Sequence, residues 1–435
     1  MLKRSNLLSA CLCALIGLVL LAASCSKKET PAYSGPPTIT GINATTFHAG
    51  DTVHVSGKGL TATTYTIQLF DSLNINVLQA TDTSIIFVLP AATHFSFYGA
   101  ASGNLIVENA TANQEWTITI VVPEPHGWFA QTQLYSLRAI FAPQQSIHIY
   151  FPSDSIGYLQ HNDGIMRTTN GGDTWQVPGS QAYGNAFGLA ILDTSHLYAY
   201  GASVVVSTTN GGNSWVSEPL PSALSNSVLT GMSMFGPATG VIMNEPGDFY
   251  SLAGSWDTTS PTGLVKEYQT NSPVILTGFG TLSAIDLGDL LAGGLIYINA
   301  TTTYSDVIVK TNGVYDEYTL APAISNSGFL TVQLLNPTLG FALDGSHHIL
   351  KYTGNRNWAA LSQTATAILF LDANNGYSSS EGAVYQSANG GESWTSVFNL
   401  QPNQVVYNFA TNNGHVWGIG MDTTAGKGFI IKYNP

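Results

Sequence analysis

The chain has 435 residues and a formal net charge of −13, with only 9% of its residues charged. A chain this acidic, with no basic run beyond Lys27-Lys28, cannot neutralise phosphates, so nucleic-acid binding is excluded. The length is ample for a large β-core, and the abundance of Asn, Thr, Ser, Gly and Tyr is that of a secreted β-protein.

Lys3 and Arg4 precede an apolar run from Leu7 to Ala23, which ends in Leu21-Ala-Ala-Ser-Cys25. A basic start, an apolar core and small residues before a cleavage point predict a secretory signal over residues 1–24. Cys11 and Cys13 fall inside that segment, so a mature chain from Cys25 keeps one cysteine. Disulfides, thiolate metal clusters and cysteine nucleophiles are then excluded together. Without Lys3 and Arg4 the 13 basic residues become 11 against 26 acidic, a net −15. The small residues before Cys25 resemble a lipobox, with leucine one place earlier than usual. That resemblance implies lipid on Cys25, with residues 25–36 as a polar tether. Ser26 after the cysteine implies outer-membrane sorting. A lipid tether followed by β modules resembles Bacteroidetes cell-envelope proteins, in which surface export favours acidic residues where this chain has Lys27 and Lys28. Periplasmic and surface-facing placements both stay open.

Residues 37–122 carry alternating apolar residues between Gly- and Asn-rich turns. The pieces are Pro37-Thr-Ile-Thr-Gly-Ile42, Gly50-Asp-Thr-Val-His-Val-Ser-Gly57, Thr83-Ser-Ile-Ile-Phe-Val-Leu-Pro90, Gly103-Asn-Leu-Ile-Val107 and Trp116-Thr-Ile-Thr-Ile-Val-Val122. Period-two patterning of this kind predicts an antiparallel sandwich. The order of the pieces resembles IPT/TIG domains, an immunoglobulin-like family. Pro123-Glu-Pro125 makes a short, stiff linker.

Downstream, eight residues recur three times: Thr168-Thr-Asn-Gly-Gly-Asp-Thr-Trp175, Thr208-Thr-Asn-Gly-Gly-Asn-Ser-Trp215 and Ser387-Ala-Asn-Gly-Gly-Glu-Ser-Trp394. Each follows a short apolar run. Asn-Gly reaches the positive φ of a tight hairpin turn cheaply, and the side chains of Asn170, Asn210 and Asn389 are expected to cap backbone amides. The glycines, including Gly172, Gly212 and Gly391, are turn residues, and each Trp is expected to pack against a neighbouring unit from the returning strand. Trp175 to Trp215 spans 40 residues and Trp215 to Trp256 spans 41, a period that fits a four-stranded blade. Degenerate copies lie at Lys351-Tyr-Thr-Gly-Asn-Arg-Asn-Trp358 and Val309-Lys-Thr-Asn-Gly-Val-Tyr-Asp-Glu-Tyr318. The repeat resembles the Asp-box, or BNR, motif, with Asn in the Asp position, and in its Gly-Gly-Trp form the repeats of the photosystem II assembly-factor family. That resemblance implies a β-propeller over residues 127–435. The expected fold is all-β, an immunoglobulin-like sandwich followed by a propeller of seven blades, with six as the alternative. The stretch Val405–Asn434 supplies three strands and no final Trp; Gly127-Trp-Phe-Ala-Gln131 is the expected fourth, closing the ring so that no sheet edge of the ring is left open.

No catalytic residue, metal or cofactor is assigned. A sialidase needs an arginine triad, whereas Arg167 enters one repeat turn and Arg356 lies in another. Asp163, Asp248, Asp344 and Glu381 each adjoin glycine at the same hairpin of their blades; an acid repeated by the fold reads as a turn former rather than a glycosidase carboxylate. His347-His348 are adjacent, and on a strand would point to opposite faces.

For binding, Tyr183, Phe187, Tyr268 and Phe398 are expected on the loops of the propeller's functional face. Phe95, Phe97 and Tyr98, beside His94, form an aromatic cluster in a loop of the upstream module. Aromatics flanked by amides suit sugar rings. The sequence reading is a non-catalytic envelope lipoprotein that binds a glycan or an envelope protein through the propeller face and meets the membrane only through its lipid. A secreted polysaccharide hydrolase is the first alternative and an envelope assembly scaffold the second.

Overall fold

A computed structural model describes residues 33–435 apart from 63, 96–97, 135–146, 162–163, 180–185, 221, 223, 246, 255, 257–263, 270–275, 300–301 and 381. The described residues form strands joined by turns, with two short 3-10 segments and no α-helix. The chain forms two compact units that divide after Pro123, with Tyr98 and Gly99 grouped with the second. The signal segment and Cys25 lie outside the described residues; within them no helix is long and apolar enough to cross a membrane.

The first unit is an immunoglobulin-like sandwich. One sheet orders Thr38–Ile42, Thr52–Lys58, Ser84–Val88 and Val77–Ala80; the other orders Thr46–His48, Asn113–Val122, Gly99–Glu108, Thr66–Leu69 and Leu73–Ile75. The alternation in the sequence becomes the core: Val53 and Val55, Ile85 and Phe87, Leu105 and Val107, and Ile118, Ile120 and Val122 are all buried. Successive strand residues face opposite sides, so each strand gives every second side chain to the space between the sheets.

The second unit is a β-propeller whose described residues form seven sheets. Six follow one another along the chain, spanning 148–168, 186–217, 229–268, 276–319, 329–364 and 367–399. The seventh joins both ends of the unit. Gly127–Leu134 pairs antiparallel with Lys427–Asn434, beside His415–Asp422 and Gln404–Asn412. The expected closing strand is therefore present, with Trp128 opposite Tyr433. Seven apolar clusters each draw residues from two neighbouring sheets, and one unites Phe151 and Leu159 of the 148–168 sheet with Trp417 and Ile430 of the seventh. Strands buried on both faces explain why 341–343 and 430–431 read as continuous apolar runs rather than alternating ones.

The three repeat turns share one geometry. In the first, the Thr168 hydroxyl donates to Asn170 Oδ1 at 2.9 Å and accepts from the Gly172 N–H, while Asn170 Oδ1 accepts from the Thr174 N–H at 3.0 Å. The same bonds recur at Thr208, Asn210, Gly212 and Ser214, and at Ser387, Asn389, Gly391 and Ser393. Asparagine thus caps the turn as expected. The backbone strain sits elsewhere than anticipated: both glycines, not the asparagine, take positive φ, at 70° and 102° in the first turn. A side-chain cap holds the asparagine in an ordinary conformation and passes the left-handed positions to residues without Cβ. The eroded copy at 309–318 instead makes the two-residue turn, with Asn312 at φ 50° and Gly313 at 81°. Trp175 and Trp394 donate their indole N–H to the carbonyls of Gly172 and Gly391, and all three tryptophans, Trp215 included, pack against inter-sheet clusters.

Candidate functional site

Two of the four propeller aromatics have described side chains, and both sit on strands rather than loops. Tyr268 ends the strand Leu264–Tyr268 and Phe398 lies within Thr395–Asn399. Half-buried strand positions suit aromatic rings, which fill the space between sheets. Phe398 packs near Trp128, ring centroids 6.3 Å apart. Tyr268 stacks on Tyr315 at 4.6 Å and donates its hydroxyl to Glu317 Oε2 at 2.6 Å. Phe187 lies on the strand Ala186–Ile191, its side chain outside the described set; Tyr183 and Phe97 fall outside it altogether. In the first unit Phe95 meets Phe70 edge-on at 6.4 Å, whereas Tyr98, expected beside it, groups with the second unit and meets Phe129 edge-on at 5.0 Å.

The repeated hairpin acids serve their own turns. Asp344 is buried, and its carboxylate accepts from the Ser346 and His348 N–H groups at 2.9 and 2.8 Å and from the Ser325 hydroxyl at 2.9 Å. Asp248 pairs with Lys266 at 2.7 Å. Asp163 and Glu381 lie outside the described residues. His347 sits at φ 68° with Nδ1 against the Ala365 carbonyl, so the two adjacent histidines diverge. Among the described residues no three His, Cys, Asp or Glu side chains converge as a metal site.

The most unusual chemistry lies between the sheets spanning 229–268 and 276–319, around Tyr268. Asp306, Ile308 and Lys310 alternate along the strand Thr302–Thr311, and Glu317 stands opposite Ile308 in register. Burial, then the negative charge of Glu317, pushes the Asp306 carboxyl up to about 8. Asp306 therefore keeps its proton at neutral pH beside Glu317, whose Oε2 accepts from the Tyr268 hydroxyl. One layer along, Lys310 bonds to Glu267 and to the Leu287 carbonyl, the latter at 2.6 Å, and the Tyr315 hydroxyl adds a second contact to Glu267. Burial opposes ionisation of Glu267, but these bonds outweigh it and hold that carboxyl below its ordinary range. The sequence reading missed this layer because both faces of the strand are buried, which erases alternation. The signal was compositional: four charged residues within 306–317 of a chain that is 9% charged.

Residues 37–120 match the IPT/TIG domain. No curated protein matches the chain. Among solved structures, that of YCF48 bound to D1 peptide is similar at 16% identity, covering 72% of this chain and 98% of that one, with a TM-score of 0.51. YCF48 from Cyanidioschyzon merolae is similar at 14% identity over 71% of this chain and 99% of that one, TM-score 0.49. An auxiliary nutrient binding protein from Bacteroides thetaiotaomicron is 11% identical over 92% of this chain and 98% of that one, TM-score 0.39. Together with the sheets described above, the domain match and the first of these likenesses establish the architecture: an IPT/TIG domain of immunoglobulin-like fold, then a β-propeller.

Proposed function

We propose that the chain is a non-catalytic cell-envelope lipoprotein, anchored by lipid on Cys25, whose propeller face binds a glycan or a protein partner. The observation that carries this reading is the use made of the repeated acids: Asp344 and Asp248 are spent on turn and ion-pair contacts, leaving the blade hairpins as scaffold. The three capped turns are read as Asp-box turns, a motif compatible with binding and assembly as well as with hydrolysis. YCF48 with its D1 peptide offers a peptide-ligand analogy of the same fold. One observation favours the hydrolase alternative, the protonated Asp306 beside the Glu317 carboxyl, since a carboxylic acid kept protonated by burial can serve as a general acid. Asp306 is only 1% exposed, however, which denies a sugar ring access to it.

Arrays of envelope and plant glycans and of envelope-protein peptides, probed with the chain and scored for bound protein and released sugar, test the proposal. Saturable binding without sugar release is the expected result, and sugar release would overturn it. Palmitate labelling that disappears in Cys25→Ser tests the anchor.

A further inference from the structure

The first unit carries a second surface, independent of whatever the propeller binds. A groove of about 380 Å3 runs along residues 73–78. Its apolar lining comes from Leu73, Ile75, Val77, Leu78, Val88 and Pro90. Here the chain crosses between the sheets: Leu73–Ile75 is the end strand of one, Val77–Ala80 the end strand of the other, and Asn76 lies between. Each is paired on one side only, so each presents a row of backbone donors and acceptors to an incoming strand. The register of Val77–Ala80 slips at Leu78, a bulge that leaves this side chain 70% exposed. Val88, on the adjoining strand, is 43% exposed. Neither end strand carries the Lys, Pro or inward charge that usually guards an edge.

Charge selects the occupant. Among the described residues the groove is lined by no Asp, Glu, Lys or Arg, only by apolar residues with Asn74, Asn76 and His94. A charged segment would find no counter-charge there. A second copy would bring a further −13 to a chain already carrying −13. The matching partner is uncharged, apolar at alternate positions, and extended. We infer that this groove captures an uncharged, extended segment of another protein by strand addition, taking its backbone along 73–78 and its apolar side chains against Leu78 and Val88.

A random dodecapeptide display library panned against the full-length chain in detergent, with Leu78→Lys as the counter-selected protein, tests the inference. Enriched peptides should alternate uncharged apolar residues. Their synthetic forms should bind saturably by fluorescence anisotropy, with little change between low and high salt. Affinity should fall at least about tenfold for Leu78→Lys, for Val88→Lys, and for peptides N-methylated at alternate amides. Absence of enrichment, enrichment of charged peptides, equal binding to both lysine variants, or indifference to N-methylation would each overturn it. So would sedimentation showing a dimer of the chain that Leu78→Lys dissolves. None of these results bears on the propeller's ligand, so the two proposals fail separately.

Discussion

Asp306 shows what a single buried proton does to a sheet interface. Its carboxyl titrates at about 8 in the folded chain against an ordinary value of 3.8, so the folded state holds the proton more tightly than the unfolded one. Stability from this group is therefore greatest at acid pH, declines as pH rises through that interval, and is fully lost above it. Asp306→Asn, uncharged and nearly the same shape, should flatten the fall in melting temperature between about pH 5 and 8 relative to the parent chain. An unchanged slope would show that Asp306 ionises freely in the folded state. The repeat turns give a second test at this scale. Asn389→Ala removes the cap on the Ser393 N–H and should cost about 1–2 kcal/mol in denaturant unfolding. Gly390→Ala should cost about 1–3 kcal/mol, because its φ is 71° and a Cβ there would lie 2.7 Å from the Ala373 carbonyl oxygen. A neutral result at either position would remove the turn from the account of stability.

Among the elements, the closing strand Gly127–Leu134 has the most distant partner in sequence. Trp128 on it lies within 5.3–6.3 Å of Tyr377, Phe398, Phe409 and Tyr433, bridging the last two sheets. The part-buried pair of Lys432 and Glu124, at 2.7 Å, ties down the residues just before the strand, and the Gln131 amide bonded to the Gly171 carbonyl at 3.0 Å holds its middle. Trp128→Ala should therefore cost about 2–3 kcal/mol of unfolding free energy, below the range of about 3–5 kcal/mol for a fully buried aromatic because the ring is only partly buried. A loss near zero would mean the ring does not depend on this strand. The closing strand was legible in the sequence because the last repeat lacks its terminal aromatic while Trp128 has no repeat of its own. The polar layer at Lys310 and Glu317 was not, since a strand buried on both faces carries no period to read. Nor was the strand setting of Tyr268 and Phe398, which the repeat spacing alone assigned to loops.

For the molecule as a whole, fold and chemistry come from different levels of the sequence. Alternation at Val53, Val55, Ile85 and Phe87 announces the sandwich, and the three Asn-Gly-Gly turns announce the blades. Both are local signals repeated often enough to add. A binding site needs residues from distant segments to converge, and no repeat encodes that convergence. The edge groove shows the difference: Leu73, Ile75 and Val77 alternate with asparagines as any strand does, and only the sheet order reveals that the run borders two open edges. The central claim is that this propeller binds without cutting. The direct measurement is a calorimetric titration of the chain with envelope polysaccharides and envelope-protein peptides, with ligand length followed by chromatography on the same samples. The account predicts saturable heat with at least one ligand and no change in its length. Shortening of any polymer during the titration would contradict it and assign the chain to the hydrolases.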